Sequence, residues 1–311
     1  MKRIGAFLLC LGVLPAYANN LSLDDALRAT YSACIGIDEE LSDLKTMAGI
    51  NTAITAVGAA AGASATVVGV VKASTDQKVE ELEKLLKEIE ESAKSMDPMT
   101  EEEITAFLEE FNTEYKAEVK DSKTIESEID ELNQKSKKQG NWRTGLMAGA
   151  TATNVAGAII AGTNQVKGDL LAQIDACKAS VKDLRNAMMQ ARMNGQDISE
   201  AQKIADACGE YEYADLSKIN VRGKGAAISA GIGAATGLAG TLTSVAANTD
   251  ATRGDNTEEG KKKEKGLNTA SNILAGTTTA ASATATVFNA TQIKAIKQVA
   301  EIASKCTEVL K

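Results

Sequence analysis

The stretch GAAISAGIGAATGLAGTLTSVAANTD, Gly225 to Asp250, is built almost entirely of Gly, Ala, Ser and Thr, with a bulky aliphatic side chain every third or fourth place. It carries no charge before Asp250, and three other stretches share its texture. Charge-free spans lie between Lys45 and Lys72, Arg143 and Lys167, Lys224 and Asp250, and Lys265 and Lys294. With 24% of the residues charged, one gap of about 25 residues arises by chance at roughly one start in a thousand. Four such gaps require a common physical cause.

Small residues at a four-residue step let helix backbones approach closely. The pairs Gly58 and Gly62, Gly145 and Gly149, and Gly233 and Gly237 have this step, with Ala230 and Gly240 near the face of the last pair. Beside the spans run seams with helical spacing, such as Leu27, Thr30, Cys34, Ile37, Leu41, Leu44 and Ala48, and Cys177, Val181, Leu184 and Met188. Each seam buries one face against a neighbour. Only two prolines and 3% aromatic residues, beside abundant Ala, Lys, Glu and Leu, make the chain helical.

The spans repeat. An ungapped shift of 174 residues places Cys34 on Cys208, Gly49 on Gly223 and Thr75-Asp76 on Thr249-Asp250, and a weaker match at 127 relates Leu146–Gly149 to Ile273–Gly276. The chain reads as two copies of one helical hairpin. Between the first two spans, Val79, Leu82, Leu86 and Ile89 form one heptad stripe, and Asp97-Pro98 breaks it. Thr100 and Glu103 make a capping box before Ile104, Leu108, Phe111 and Tyr115. This is a helical arm that returns through Ile125, Ile129 and Leu132 and ends at the polar run QKSKKQGN. The second copy lacks it, so the bundle is expected to fold without it. The run DATRGDNTEEGKKKEKG, from Asp250, reads as a charged turn.

The expected fold is therefore an all-α, elongated up-and-down bundle of two tandem hairpins with a coiled-coil-like arm. Residues 1–18 read as a signal peptide, 19–76 as the ascending helix and 77–140 as the arm. Residues 141–193 read as the descending helix and 197–311 as the second hairpin, with its charged loop at 250–265. The opening MKRIGAFLLCLGVLPAYA joins a basic start, an apolar run and small residues around Tyr17, the signal pattern, and takes Cys10 with it. This implies export to a periplasm, an envelope or the medium.

Export permits disulfides. Cys34 precedes Asp76 by the same 42 residues that separate Cys208 from Asp250, and 42 residues before Cys306 stands Glu264. That spacing puts the cysteines in one layer and predicts Cys34 paired with Cys177 and Cys208 with Cys306. The rival pairing joins Cys177 to Cys208 across Asn194-Gly195.

The function classes narrow by exclusion. There is no histidine, no CxxC step, no Walker loop and no GxSxG, which argues against an enzyme, a cofactor, a metal or a small-molecule substrate. A net charge of −8 repels phosphate backbones, so no nucleic acid is expected. Arg253-Gly254-Asp255 matches an adhesion tripeptide that any such turn produces by coincidence, and Trp142 reads as a ring capping the bundle end. The expected function is structural or adhesive, through self-association or a protein partner held by the small-residue faces. The alternative is a membrane-inserting, glycine-zipper-like assembly. Against it stand the Ser and Thr hydroxyls and the Asn154, Asn164 and Asn248 amides, which disfavour lipid unless they find partners.

Overall fold

The computed structural model describes residues 21–95, 122–253 and 257–311. The signal-like stretch, the outer arm from Pro98 to Tyr115, and Gly254 with Asp255 lie outside the described residues. The described elements are helices: α1 (Leu23–Cys34), α2 (Ile37–Ser95), α3 (Ser122–Thr163), α4 (Gly168–Met193), α5 (Ser199–Gly209), a 3₁₀ turn (Glu210–Tyr213), α6 (Ser217–Ala247), α7 (Asp250–Arg253) and α8 (Glu258–Leu310). The protein is an all-α bundle of long helices.

The contacts divide it into two compact units. Unit one contains α1, the first turns of α2 to Asp43, α4, α5, the 3₁₀ turn and the end of α8 from Ile296. Its helices begin and end on local signals. Ser22 caps α1 by accepting the Asp25 amide at 3.2 Å, with Asp24 and Asp25 in the first turn, where carboxylates meet the positive end of the helix. Gly36, at φ 86°, turns the chain into α2, and Gly195, at φ 70°, closes α4 in the left-handed conformation that glycine adopts without strain. α1 packs on α4, and α4 on α5. The core is ordinary, with Ile37, Leu41, Ile174, Leu184, Tyr211 and Ile296 fully buried. Two disulfides cross it, Cys34–Cys177 and Cys208–Cys306, with Cα separations of 4.8 and 4.6 Å. Taken alone, each removes about 5 kcal/mol of loop-closure freedom from the unfolded chain in the chain-entropy model.

Unit two is a four-helix bundle of α2 from Leu44, α3, α6 and α8 to Ala295. Each helix buries one stripe in alternating steps of three and four. On α2 it is Ala48, Asn51, Thr55, Gly58, Gly62, Ala65, Gly69 and Lys72, and on α6 it is Gly223, Ala226, Ala230, Gly233, Gly237, Gly240, Ser244 and Ala247. α3 buries Arg143, Met147, Ala150, Asn154, Gly157, Ala161 and Asn164, and α8 buries Asn268, Ser271, Ala275, Thr278, Ser282, Ala285, Asn289 and Gln292. This is the 3.5-residue period of a left-handed coiled coil, made from the smallest side chains instead of Leu and Ile.

Three sequence expectations change. The polar run after Leu132 does not end the return helix. α3 continues through it into the charge-free span, with Ser136 and Gly140 buried. The charged loop is shorter than 250–265, because α7 and α8 take up all of it except a few residues around Asn256. The repeat register also slips by one. Gly58 and Gly62 correspond in burial to Gly233 and Gly237, an offset of 175, and Asn154 sits opposite Ser282, an offset of 128. A one-residue shift turns a helix face by about 100°, so the best ungapped match of letters is not the match of buried faces.

Candidate functional site

Close approach accounts for four buried glycines of unit two. A Cβ on Gly58 would lie 2.6 Å from Thr153 Oγ1, one on Gly62 2.7 Å from Thr279 Oγ1, one on Gly233 2.9 Å from Asn154 Cγ, and one on Gly237 2.5 Å from Thr151 Oγ1. Any larger residue must displace the facing Thr or Asn side chain or part the helices. Gly145 and Gly149 differ from these four. Both are exposed, with nothing within 4 Å of an added Cβ, so they take no part in packing within the chain.

The space between the helices is polar and hydrogen-bonded. The Asn51 amide donates to Asn289 Oδ1 at 2.9 Å, and Asn154 exchanges bonds of 2.8 and 3.0 Å with the Ser282 hydroxyl. Thr144 meets Ser244 at 2.7 Å, Thr236 meets Thr278 at 2.9 Å, and Ser271 donates to the Gly240 carbonyl at 3.0 Å. Near the end that holds Leu44, Asn164 donates to the Leu44 carbonyl and Gln292 to the Asn164 carbonyl. Each bond joins two of the four helices. The buried small-residue and hydroxyl stripes therefore face one another inside one chain.

At the opposite end of unit two the interior becomes ionic. Lys72, fully buried, contacts Asp76 at 2.6 Å and Glu264 at 3.5 Å, and Ser136 donates to Asp76. Arg143, also buried, donates to the Asn268 carbonyl at 3.2 Å. This layer ties the base of the arm to the bundle, helped by Lys261 on Glu83 and Arg253 on the Asn133 carbonyl.

The exterior carries what the interior lacks. Val57, Ile159, Ile228 and Val287 are 60 to 65% exposed, and Val67, Leu242 and Ile273 resemble them. No charge interrupts this jacket along the four spans. Outward hydroxyls are satisfied by their own helix: Ser64 donates to Ala60 O, Thr163 to Ile159 O, Thr243 to Ala239 O and Thr284 to Ala280 O. Trp142 does not cap the bundle. It stands 70% exposed at the edge of the jacket, where the α3 span begins. Among the described residues, three helical stretches are long and apolar enough to cross a membrane, and they carry the charge-free spans of α2, α3 and α6; that of α8 falls short of the same measure.

The one cluster of metal-ligating groups among the described residues is Cys34, Cys177 and Cys306, whose sulfurs are engaged in the two disulfides. Sequence reasoning missed the polar interior. The signal lay in Asn51, Asn154 and Asn289, which fall on the same three-and-four stripes as the buried small residues. No protein-family model, curated protein or solved structure matches the chain.

Proposed function

We propose that this is an exported, non-catalytic structural protein of a cell envelope, whose four-helix unit is embedded in a membrane. The observation that carries the reading is the inverted polarity of unit two. Amides and hydroxyls pair between helices while Val, Ile and Leu face outward on all four. In water this arrangement exposes an apolar surface of the kind that soluble monomers rarely keep. In lipid the polar groups find partners inside, and small residues bring the backbones together.

The objection that hydroxyls and amides disfavour lipid loses force once they are bonded. The charge-free spans, at 1.5 Å per residue, are roughly 35 to 42 Å long against a hydrocarbon core of about 30 Å. The signal-like residues 1–18 supply the route of export.

The test is fractionation of the expressed chain, followed by alkaline carbonate extraction and flotation with liposomes of neutral phospholipid. The protein should remain with lipid through both. A detergent-free, water-soluble monomer would overturn the proposal, and a water-soluble oligomer would assign the jacket to contacts between copies.

A further inference from the structure

The interior of unit one collects four cysteines from four helices: Cys34 ends α1, Cys177 lies in α4, Cys208 in α5 and Cys306 in α8. Two disulfides use them, yet the sulfurs are not in separate places. Sγ of Cys34, Cys177 and Cys306 all lie within 4.8 Å of one another, and Cys208 is bonded to Cys306. All four side chains are at most 1% exposed. Disulfides exchange by attack of a thiolate on a disulfide sulfur, and access governs the rate as strongly as acidity does. A closed interior excludes thiols from outside. A thiol of the layer itself is already within reach.

We propose that the four cysteines form one interchange layer, in which a thiolate at Cys306 attacks the Cys34–Cys177 disulfide and moves the cross-link among α1, α4 and α8. The Cys306 sulfur forms a bond to Cys34 Sγ and the Cys34–Cys177 bond breaks. The electron pair leaves on Cys177, which takes up the proton that Cys306 released. Attack at Cys177 is the mirror case and frees Cys34. One disulfide and one thiol enter, one of each leaves, and no oxidant or reductant is consumed. The required state has one bond closed and Cys306 free, and every chain that closes Cys34–Cys177 first passes through it. A first bond closed between the wrong partners is then corrected from within, before oxidation by a disulfide-bearing oxidant closes Cys208 onto Cys306.

The experiment uses the full chain carrying Cys208→Ser, which leaves Cys306 without its partner. The oxidised, folded protein is held at pH 8, quenched in acid, alkylated, digested without reduction and mapped by mass spectrometry. The expected result is loss of a single pairing to a mixture that contains Cys34–Cys306 and Cys177–Cys306, formed at a rate independent of protein concentration. A uniform Cys34–Cys177 bond with Cys306 alone alkylated overturns the proposal. So do mixed bonds whose rate rises with concentration, because they form between molecules. Should Cys208→Ser lose its helical far-UV signal, Cys34→Ser leaves Cys177 free beside Cys208–Cys306, and Cys177–Cys306 is expected. If both variants unfold, the layer does not survive on one bond and internal correction is refuted.

Discussion

Asn51 of α2 and Asn289 of α8 face each other inside unit two, amide to carbonyl at 2.9 Å, with at most 1% of either side chain exposed. Asn289 also reaches Thr55 at 3.4 Å. Truncating one partner strands the other in a closed interior. Asn51→Ala is expected to destabilise by about 1 to 3 kcal/mol. A double-mutant cycle with Asn289→Ala should return a coupling of roughly 0.6 to 1.7 kcal/mol, the range of hydrogen bonds between membrane helices. Unfolding in mixed detergent micelles measures both, and zero coupling would show that the pair contributes nothing.

Gly237→Leu should cost about 1 to 3 kcal/mol by overpacking, since a Cβ added there would lie only 2.5 Å from Thr151 Oγ1. Gly149→Leu meets open space and gains helix propensity, so it should leave stability unchanged or raise it by up to about 1 kcal/mol. Thermal melts of the two variants decide the matter, and equal effects would contradict the packing described.

A lysine separates interior from exterior. Ser244→Lys puts a charge where Ser244 bonds Thr144 and should abolish folding of unit two, read as loss of helicity. Leu242→Lys, on an exposed position of the same helix, should keep the helices and weaken retention by lipid, by about 3 kcal/mol for a charge near mid-span. Equal retention of Leu242→Lys and the parent chain in flotation would count against the membrane reading.

The arm is not freely removable. Replacing residues 75–140 would delete Asp76 and Ser136 and leave Lys72 buried with only Glu264 at 3.5 Å. The expected loss is about 3 to 5 kcal/mol, the cost of breaking a buried pair. A cut limited to residues 96–121 spares that layer and should leave the melting temperature nearly unchanged. Comparable melts for the two deletions would mean the ionic layer is dispensable.

Tyr211 supplies a pH test in unit one. Burial first, and the Asp38 carboxylate second, hold its hydroxyl protonated well above the ordinary range, and that hydroxyl has no hydrogen-bond partner. An unfolded tyrosine ionises near pH 10. The folded protein keeps this proton where the unfolded chain loses it, so stability is unaffected by the group below about pH 10 and falls as the pH rises further, on the order of 1 kcal/mol per pH unit. Tyr211→Phe should remove that alkaline slope without lowering stability at pH 7. Parallel alkaline denaturation curves would refute it.

Helicity, four spans and a layer of cysteines were legible because each rests on a strong contrast: few breakers, long charge gaps and conserved counting from Cys34, Cys208 and Cys306. The inside of unit two was not. Where Ala60, Ala61 and Ala65 are interchangeable by hydropathy, only contacts show that Ala65 alone of the three is fully buried. The usual guide, bulky side chains inward, points the wrong way for Val57, Ile228 and Leu242. Gly145 and Gly149 have the spacing of the packing glycines, but spacing fixes a face and not what that face meets.

α2 runs without a break from Ile37 to Ser95, and α3 from Ser122 to Thr163. An unbroken helix has no hinge in which torsion can dissipate, because rotation at one end alters every later turn. A pull or twist applied to the chain beyond Ser95 therefore arrives at Asp76 and Lys72, in the ionic layer, with the helix acting as a shaft. Along the charge-free spans beyond that layer the load meets hydrogen bonds between helices, such as Asn51–Asn289, Asn154–Ser282 and Thr236–Thr278. The ionic layer is thus among the first interhelical contacts to feel such a load, ahead of the hydrogen bonds along the spans.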